Sequence, residues 1–121
     1  MSEVYQSVTQ IIHDIKQLLE GQCRFIALNG ELSNLTCSSA GHWYFTLSDH
    51  DSSISGALFK GDAMRNPIIS KLVDGDKVNC HGSIGVYARR GTFQLIVKQL
   101  EPAGKGNLLE QYEKLKKKLA Q

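Results

Sequence analysis

The chain has 121 residues, of which 41% are hydrophobic and 21% are charged, a composition typical of one globular domain. A chain of this length buries about two-thirds of its unfolded surface, so its folding requires neither disulfides nor a metal. Its three cysteines, Cys23, Cys37 and Cys80, are odd in number and far apart, which indicates a reducing compartment. No apolar run is long enough to span a bilayer and no secretory signal is evident, so we expect a cytoplasmic protein with no membrane partner.

The net charge is +2, from fourteen Lys and Arg residues against twelve Asp and Glu residues. Residues 107–121 hold four lysines and two glutamates, so residues 1–106 carry ten basic and ten acidic side chains and are neutral. A nucleic-acid partner must therefore be argued from where the charges lie and not from their sum.

An N-terminal helix is predicted within residues 1–21, because apolar residues recur at helical spacing between Val8 and Leu19. Ser7 has the position of a capping residue, and Gly21 is a stop signal.

Residues 22–103 alternate between short runs of aromatic and β-branched residues and clusters of Gly, Ser, Asn and Asp, which is typical of strands and turns. A short helix broken at Pro67 is predicted between the third and fourth strands. The element order is that of a mainly β OB-fold, a five-stranded Greek-key barrel. The predicted strands are Cys23–Leu32, His42–Ser48, Ser53–Lys60, Lys77–Ala88 and Thr92–Glu101.

Residues 104–121 are predicted to form a linker and the start of a C-terminal helix with a narrow apolar seam, which runs from Leu108 to Leu119. Its lysines either follow DNA phosphates or form the solvated face of this helix, and we favour the solvated face. The helix reaches Gln121 without a stop signal, so we expect the natural chain to continue.

The second predicted strand offers aromatic rings to both sides of the sheet. Trp43 shares one face with Phe45 and Leu47, and this apolar face belongs inside the barrel. Tyr44 then faces outward, and on the third strand Ala57 and Phe59 also face outward. Tyr44 beside Phe59 would make a stacking platform for unpaired bases. The alternative, that Tyr44 and Phe59 are core residues, has about equal weight on fold grounds, whereas for Trp43 we favour the core.

The turn between the last two strands carries Arg89 and Arg90 with no local acidic neighbour. Adjacent arginines at a loop tip suit a phosphate backbone, and this loop contacts ligands in OB-folds. A solvated turn that only aids solubility is the alternative, with about equal weight.

Asp49, His50 and Asp51 could bind a divalent metal, but aspartates also stabilise turns through backbone amides, and we favour the turn. No nucleophile constellation, P-loop or G-x-S-x-G motif is present. We therefore predict no catalytic residue, no metal site and no cofactor in this chain.

Several segments, taken in order, closely resemble the N-terminal domain of the exodeoxyribonuclease VII large subunit family. They are Gly30–Asn34, Gly41–Asp49, Phe59–Gly61, Arg90-Gly91 with Phe93–Val97, and Glu101–Gly104. The resemblance implies an OB-fold that binds single-stranded DNA and presents it to a nuclease domain, which we expect to lie outside this chain. That nuclease domain would hydrolyse the DNA to oligonucleotides. It also implies a small-subunit partner, held mostly through regions outside this chain, and leaves a weak homo-oligomer open. We expect this chain itself to bind and not to cut.

The resemblance and the surface chemistry together predict the interface. Tyr44 and Phe59 would stack bases, and His42 and Gln94 would hydrogen-bond to backbone or base edges. The residues expected to hold phosphates are Lys60, Arg65, Arg89, Arg90 and Lys98. The family usually has basic residues in the loop after the first strand, but residues 35–40 contain none, so we expect affinity in the micromolar range.

Three other functions are kept open. The same surface could serve an RNA-binding module of the tRNA-anticodon type. The barrel face and tail helix could instead serve subunit assembly without a direct nucleic-acid role. A small enzyme that depends on Asp49 or Asp51 is the third.

Overall fold

A computed structural model describes residues 4–103 and confirms the OB-fold. In chain order its elements are helix α1 (Val8–Gln22), strands β1 (Ile26–Cys37), β2 (Trp43–Ser48) and β3 (Ser53–Leu58), helix α2 (Lys60–Met64), a 3-10 helix (Pro67–Lys71), and strands β4 (Lys77–Tyr87) and β5 (Thr92–Pro102). The predicted C-terminal helix lies outside the described residues.

The five strands close into a barrel in the order β1-β2-β3-β5-β4. All neighbouring strands are antiparallel except β3 and β5, which run parallel through the pairs Gly56 with Leu95 and Ala57 with Ile96. Phe45 and Leu47 are buried in the core, as the alternation of β2 predicts, and Trp43 is partly buried and packs against that core. The opposite face of β2 is therefore the outer face of the barrel.

The predicted bounds of β1, Cys23–Leu32, are wrong at both ends. Cys23 caps α1 by donating its backbone N–H to the carbonyl of Leu19, so the strand starts later. Asn34 has a φ of 53°, and the pairing register with β2 shifts there, which marks a bulge. The bulge bends the strand and lets it pair with β2 as far as Cys37, so half of the expected loop at residues 35–40 is strand.

The predicted third strand, Ser53–Lys60, also ends too late. β3 stops at Leu58, Phe59 is the N-cap of α2, and Lys60 is its first residue. The break at Pro67 is confirmed, because Pro67 begins the 3-10 helix.

Asn66 links α2 to β5 through the hydrogen bonds of its side chain. Its buried side chain donates to the carbonyls of Asp62 and Lys98, at 2.8 and 3.0 Å, and accepts from the backbone N–H of Leu100 at 3.2 Å. The bonds to Lys98 and Leu100 satisfy backbone groups of β5 beyond the two residue pairs that join it to β3.

Gly82 lies where the pairing of β4 with β5 shifts by one residue, between His81 and Gly82. A Cβ atom added at Gly82 would overlap the carbonyl oxygen of Ile96. This bulge leaves Lys98 as the extra residue of β5, and Lys98 is exposed.

All three cysteines are unpaired. Burial in the barrel raises the pKa of the Cys80 thiol to about 12, so at neutral pH this side chain is an inert part of the core. Within residues 4–103, no helix combines the length and the apolar character needed to cross a membrane.

Candidate nucleic-acid interface

Three aromatic rings meet on the outer face of the barrel where β2 begins and β3 ends. The ring of Phe59 lies edge-on to His42, with centroids 5.4 Å apart, and edge-on to Tyr44 at 6.4 Å. The His42 and Tyr44 rings are 6.5 Å apart. Tyr44 is 39% exposed. Phe59 is partly buried, so its position is intermediate between an outward stacking residue and a core residue. We call His42, Tyr44 and Phe59 the aromatic cluster.

His42 is fixed in this cluster by hydrogen bonds from both sides. Its ring Nδ1 accepts from the backbone N–H of Lys60 at 3.0 Å, and its own backbone N–H donates to the Ser38 hydroxyl at 3.1 Å. A ring nitrogen that accepts is unprotonated, so in the neutral ring Nε2 carries the hydrogen and remains a donor. The turn before β2 therefore presents one oriented donor beside the two larger rings.

Lys60 approaches the same place from α2. Gly41 has a φ of 91°, and a Cβ atom added there would lie 3.4 Å from the aliphatic Cγ and Cδ atoms of Lys60. The Lys60 stem thus lies along the turn, next to the aromatic cluster. A cation and stacking surfaces are together what a single strand requires.

Ala57 forms the base of this outer face. It pairs with Tyr44 on one side and Ile96 on the other, so it points outward as predicted, yet it is completely buried. A methyl group between two larger side chains is covered by them. The outer surface here is therefore made by Tyr44 and Ile96.

The sequence suggested that the cations Arg65 and Lys98 are free to hold phosphates. In the structure both of them form ion pairs within the protein. Both pair with Asp62 of α2, whose side chain is only 8% exposed; the Lys98 ammonium is 3.2 Å from its carboxylate. The two cations remain 73% and 60% exposed, so a ligand can still reach them. Sequence reasoning missed Asp62, although its position three residues before Arg65 on a helix was a signal.

Arg89 and Arg90 are exposed at the turn after β4, away from the aromatic cluster. The strand pairing places Tyr44 beside Ala57 and Ala57 beside Ile96, so the aromatic cluster lies near Ile96 of β5. The arginine turn comes just before Thr92, where β5 begins. Ile96 is four residues along the strand from Thr92, which is about 13 Å. The arginines thus lie at the other end of β5, where Arg89 lines a hollow with Val8 and Ile12 of α1, and Gln94, which is partly buried, lies between.

The turn between β2 and β3 has a structural role. The carboxylate of Asp49 accepts from the backbone N–H groups of Asp51 and Ser52, both at 2.9 Å. These bonds hold the pKa of the Asp49 carboxyl below its usual value. Across residues 4–103, His, Cys, Asp and Glu side chains form no group of three or more that could hold a metal ion.

Comparison with known proteins identifies the family and supports the fold. The family model described as "OB-fold nucleic acid binding domain" matches residues 6–101. Among solved structures, the S. pombe Stn1-ten1 complex is similar with a TM-score of 0.60 and 19% identity, over 79% of this chain and 73% of that chain. A replication protein A heterotrimer bound to ssDNA has a TM-score of 0.56 and 9% identity, over 74% and 66%. At these identities the two likenesses show the fold alone.

The chain therefore belongs to the family of OB-fold nucleic acid binding domains. Within that class, the resemblance to the exodeoxyribonuclease VII large subunit is confirmed. The protein of that name from Shewanella oneidensis is 48% identical over 115 residues, which is 94% of this chain and 25% of that protein. The chain thus spans about a quarter of the length of the curated relatives that it matches.

Proposed function

We propose that this domain binds single-stranded DNA across the outer face of β2, β3 and β5 and presents it to a nuclease domain of the parent protein. The observation that carries the proposal is the aromatic cluster, in which an exposed Tyr44 and a partly exposed Phe59 lie side by side next to Lys60. Stacking accepts any base, as a degradative enzyme needs, and is worth about 1–3 kcal/mol per base.

The backbone of the strand runs between cations at the two ends of this face. Lys60, Arg65 and Lys98 hold phosphates near the aromatic cluster, and Arg89 and Arg90 hold them near the other end. The two groups of cations are separated by about 13 Å along β5, from Ile96 to Thr92. This distance spans a few nucleotides, and one OB-fold covers roughly 4 to 16 nucleotides. Gln94 and the Nε2–H of His42 supply neutral hydrogen bonds along the way.

The role within a larger protein rests on the curated relatives, named exodeoxyribonuclease 7 large subunit. Their remaining length leaves room for a catalytic domain, and we place the hydrolysis of single-stranded DNA to oligonucleotides there. A small-subunit partner would bind mostly outside this chain.

Titration of the 121-residue chain with fluorescent oligonucleotides tests the proposal. We expect micromolar affinity for oligo(dT) and weaker binding to a duplex of the same length, because paired bases cannot stack on the rings. Competition with a matched RNA separates a DNA-binding from an RNA-binding module. Tighter binding to the RNA or the duplex would contradict the proposal.

Replacing Arg89 and Arg90 together with alanine is expected to weaken binding to every DNA sequence alike, because phosphate contacts carry no sequence information. The slope of log affinity against log salt should fall by about 1.4, or about 0.7 for each lost phosphate contact with a single strand. The matched control is the pair Lys71→Ala and Lys77→Ala, which removes the same charge near the junction of the 3-10 helix and β4. An unchanged slope would remove the two arginines from the interface.

Asp62→Asn is expected to tighten binding to oligo(dT) by up to about fivefold, because Arg65 and Lys98 lose the anion that competes with phosphate. The asparagine keeps the size of the side chain and one acceptor oxygen. Asp14→Asn on α1 makes the same change in net charge elsewhere and should leave affinity unchanged. Binding weaker than that of the unchanged chain, with folding intact, would show that Asp62 orders the site and does not compete for it.

A further inference from the structure

A second surface with the same chemistry lies on the neighbouring side of the barrel, at the start of β1. It is a groove of about 530 Å³, whose lining includes Arg24, Phe25, Ala27, His81, Lys98 and Gln99. Ala27, His81 and Gln99 form one row across β1, β4 and β5. The groove lining contains no acidic residue.

Phe25 is the feature of this groove that core packing does not explain. Its side chain is 91% exposed, and the Arg24 guanidinium lies over its ring, 5.9 Å from the centroid. Among the described residues, Phe25 is neither in the buried core nor among the partly buried side chains that pack against it. A ring with a cation on one side and solvent on the other is a stacking surface for a base, with the guanidinium near enough for a phosphate.

Lys98 connects this groove to the proposed DNA-binding face. It lines the groove, and its ammonium pairs with Asp62, which also binds Arg65 of the first site. The bulge of β5 exposes Lys98 at the border between the two surfaces. Glu20 lines the adjoining hollow on the other side of Phe25, and it pairs with Lys16 at 2.8 Å. The acidic residues near the groove are therefore Glu20 beyond Phe25, Asp62 beside Lys98, and Glu101 two residues along β5 from Gln99.

We infer that a single strand longer than the face of β2, β3 and β5 continues past Lys98 into this groove, where Phe25 stacks one further base and Arg24 holds its phosphate. The inference rests on the proposed function and extends it to a second subsite. The ligand is unpaired DNA, because the subsite, like the first, combines a ring with cations and no built pocket for one particular base.

Binding of labelled oligo(dT) of about 6 and about 20 nucleotides, followed by fluorescence anisotropy, tests the subsite. Phe25→Ala should weaken binding of the long oligonucleotide about fivefold or more and leave the short one unchanged. Arg24→Ala should lower the salt slope for the long oligonucleotide by about 0.7. Phe25→Trp, which keeps a ring, should bind as the unchanged chain does. Val73→Ala, which truncates another exposed side chain, should change neither length.

The two proposals fail in different ways. Equal effects of Phe25→Ala on both lengths, or no effect on either, would overturn the subsite and leave the first face standing. Tyr44→Ala should weaken both lengths. If the unchanged chain binds neither oligonucleotide, the proposed function fails and the subsite fails with it.

Discussion

Replacing Gly82 with alanine is expected to lower the free energy of unfolding by about 3 kcal/mol or more. The added Cβ would overlap the carbonyl oxygen of Ile96, which is backbone and cannot rotate away as a side chain can. Relief requires β4 and β5 to separate at the bulge, where the barrel has its longest ladder. Urea unfolding followed by circular dichroism measures the loss.

Gly21→Ala is the matched control for this substitution. Gly21 lies in the last turn of α1 with no other atom near the position of an added Cβ, so alanine should raise stability by up to about 1 kcal/mol through helix propensity. If the Gly82→Ala variant had the same free energy of unfolding as the unchanged chain, the close contact between Gly82 and the Ile96 carbonyl would be refuted.

Removing both rings of the platform, with Tyr44→Ala and Phe59→Ala combined, is expected to weaken oligo(dT) binding by about 2 kcal/mol or more, which is about thirtyfold. Each ring offers a stacking surface, and alanine offers none. Anisotropy titration at one fixed salt concentration gives the affinity. Because Phe59 is partly buried, its loss also removes packing, so the urea unfolding curve of the same variant is measured alongside.

Val73→Ala serves as the control for losing an exposed apolar side chain. Val73 is 61% exposed and lies between the 3-10 helix and β4, outside both proposed surfaces. Its truncation should leave affinity unchanged. Tyr44→Phe, which keeps the ring and loses only the hydroxyl, should retain most of the binding. A double variant that is folded and binds at full affinity would refute the stacking platform.

The order of elements and the outer position of Tyr44 could be predicted because strict alternation along β2 is a local signal. The interior faces of Phe45 and Leu47 followed from the same alternation. The start and end of β1 could not be predicted, because a bulge at Asn34 and a helix cap at Cys23 each depend on what the neighbouring segment does.

The charges of the site were the least predictable part. Lys98 meets Asp62 across 36 residues of sequence, and this pairing requires both the β5 bulge and the placement of α2. The separation of Arg89 from the aromatic cluster follows from the barrel register, which no local pattern contains. The Arg24 and Phe25 groove was missed because its lining comes from three strands and the segment that joins α1 to β1.

The amide of Asn66 covers a part of β5 that no neighbouring strand pairs with on that side. Where β3 stops, the backbone of β5 would offer Lys98 and Leu100 as an open edge, which is a template for a strand of another molecule. One side chain takes up both groups, as an adjacent strand would. At this point of the barrel, a single amide side chain thereby occupies the backbone groups to which a strand of another molecule could otherwise bond.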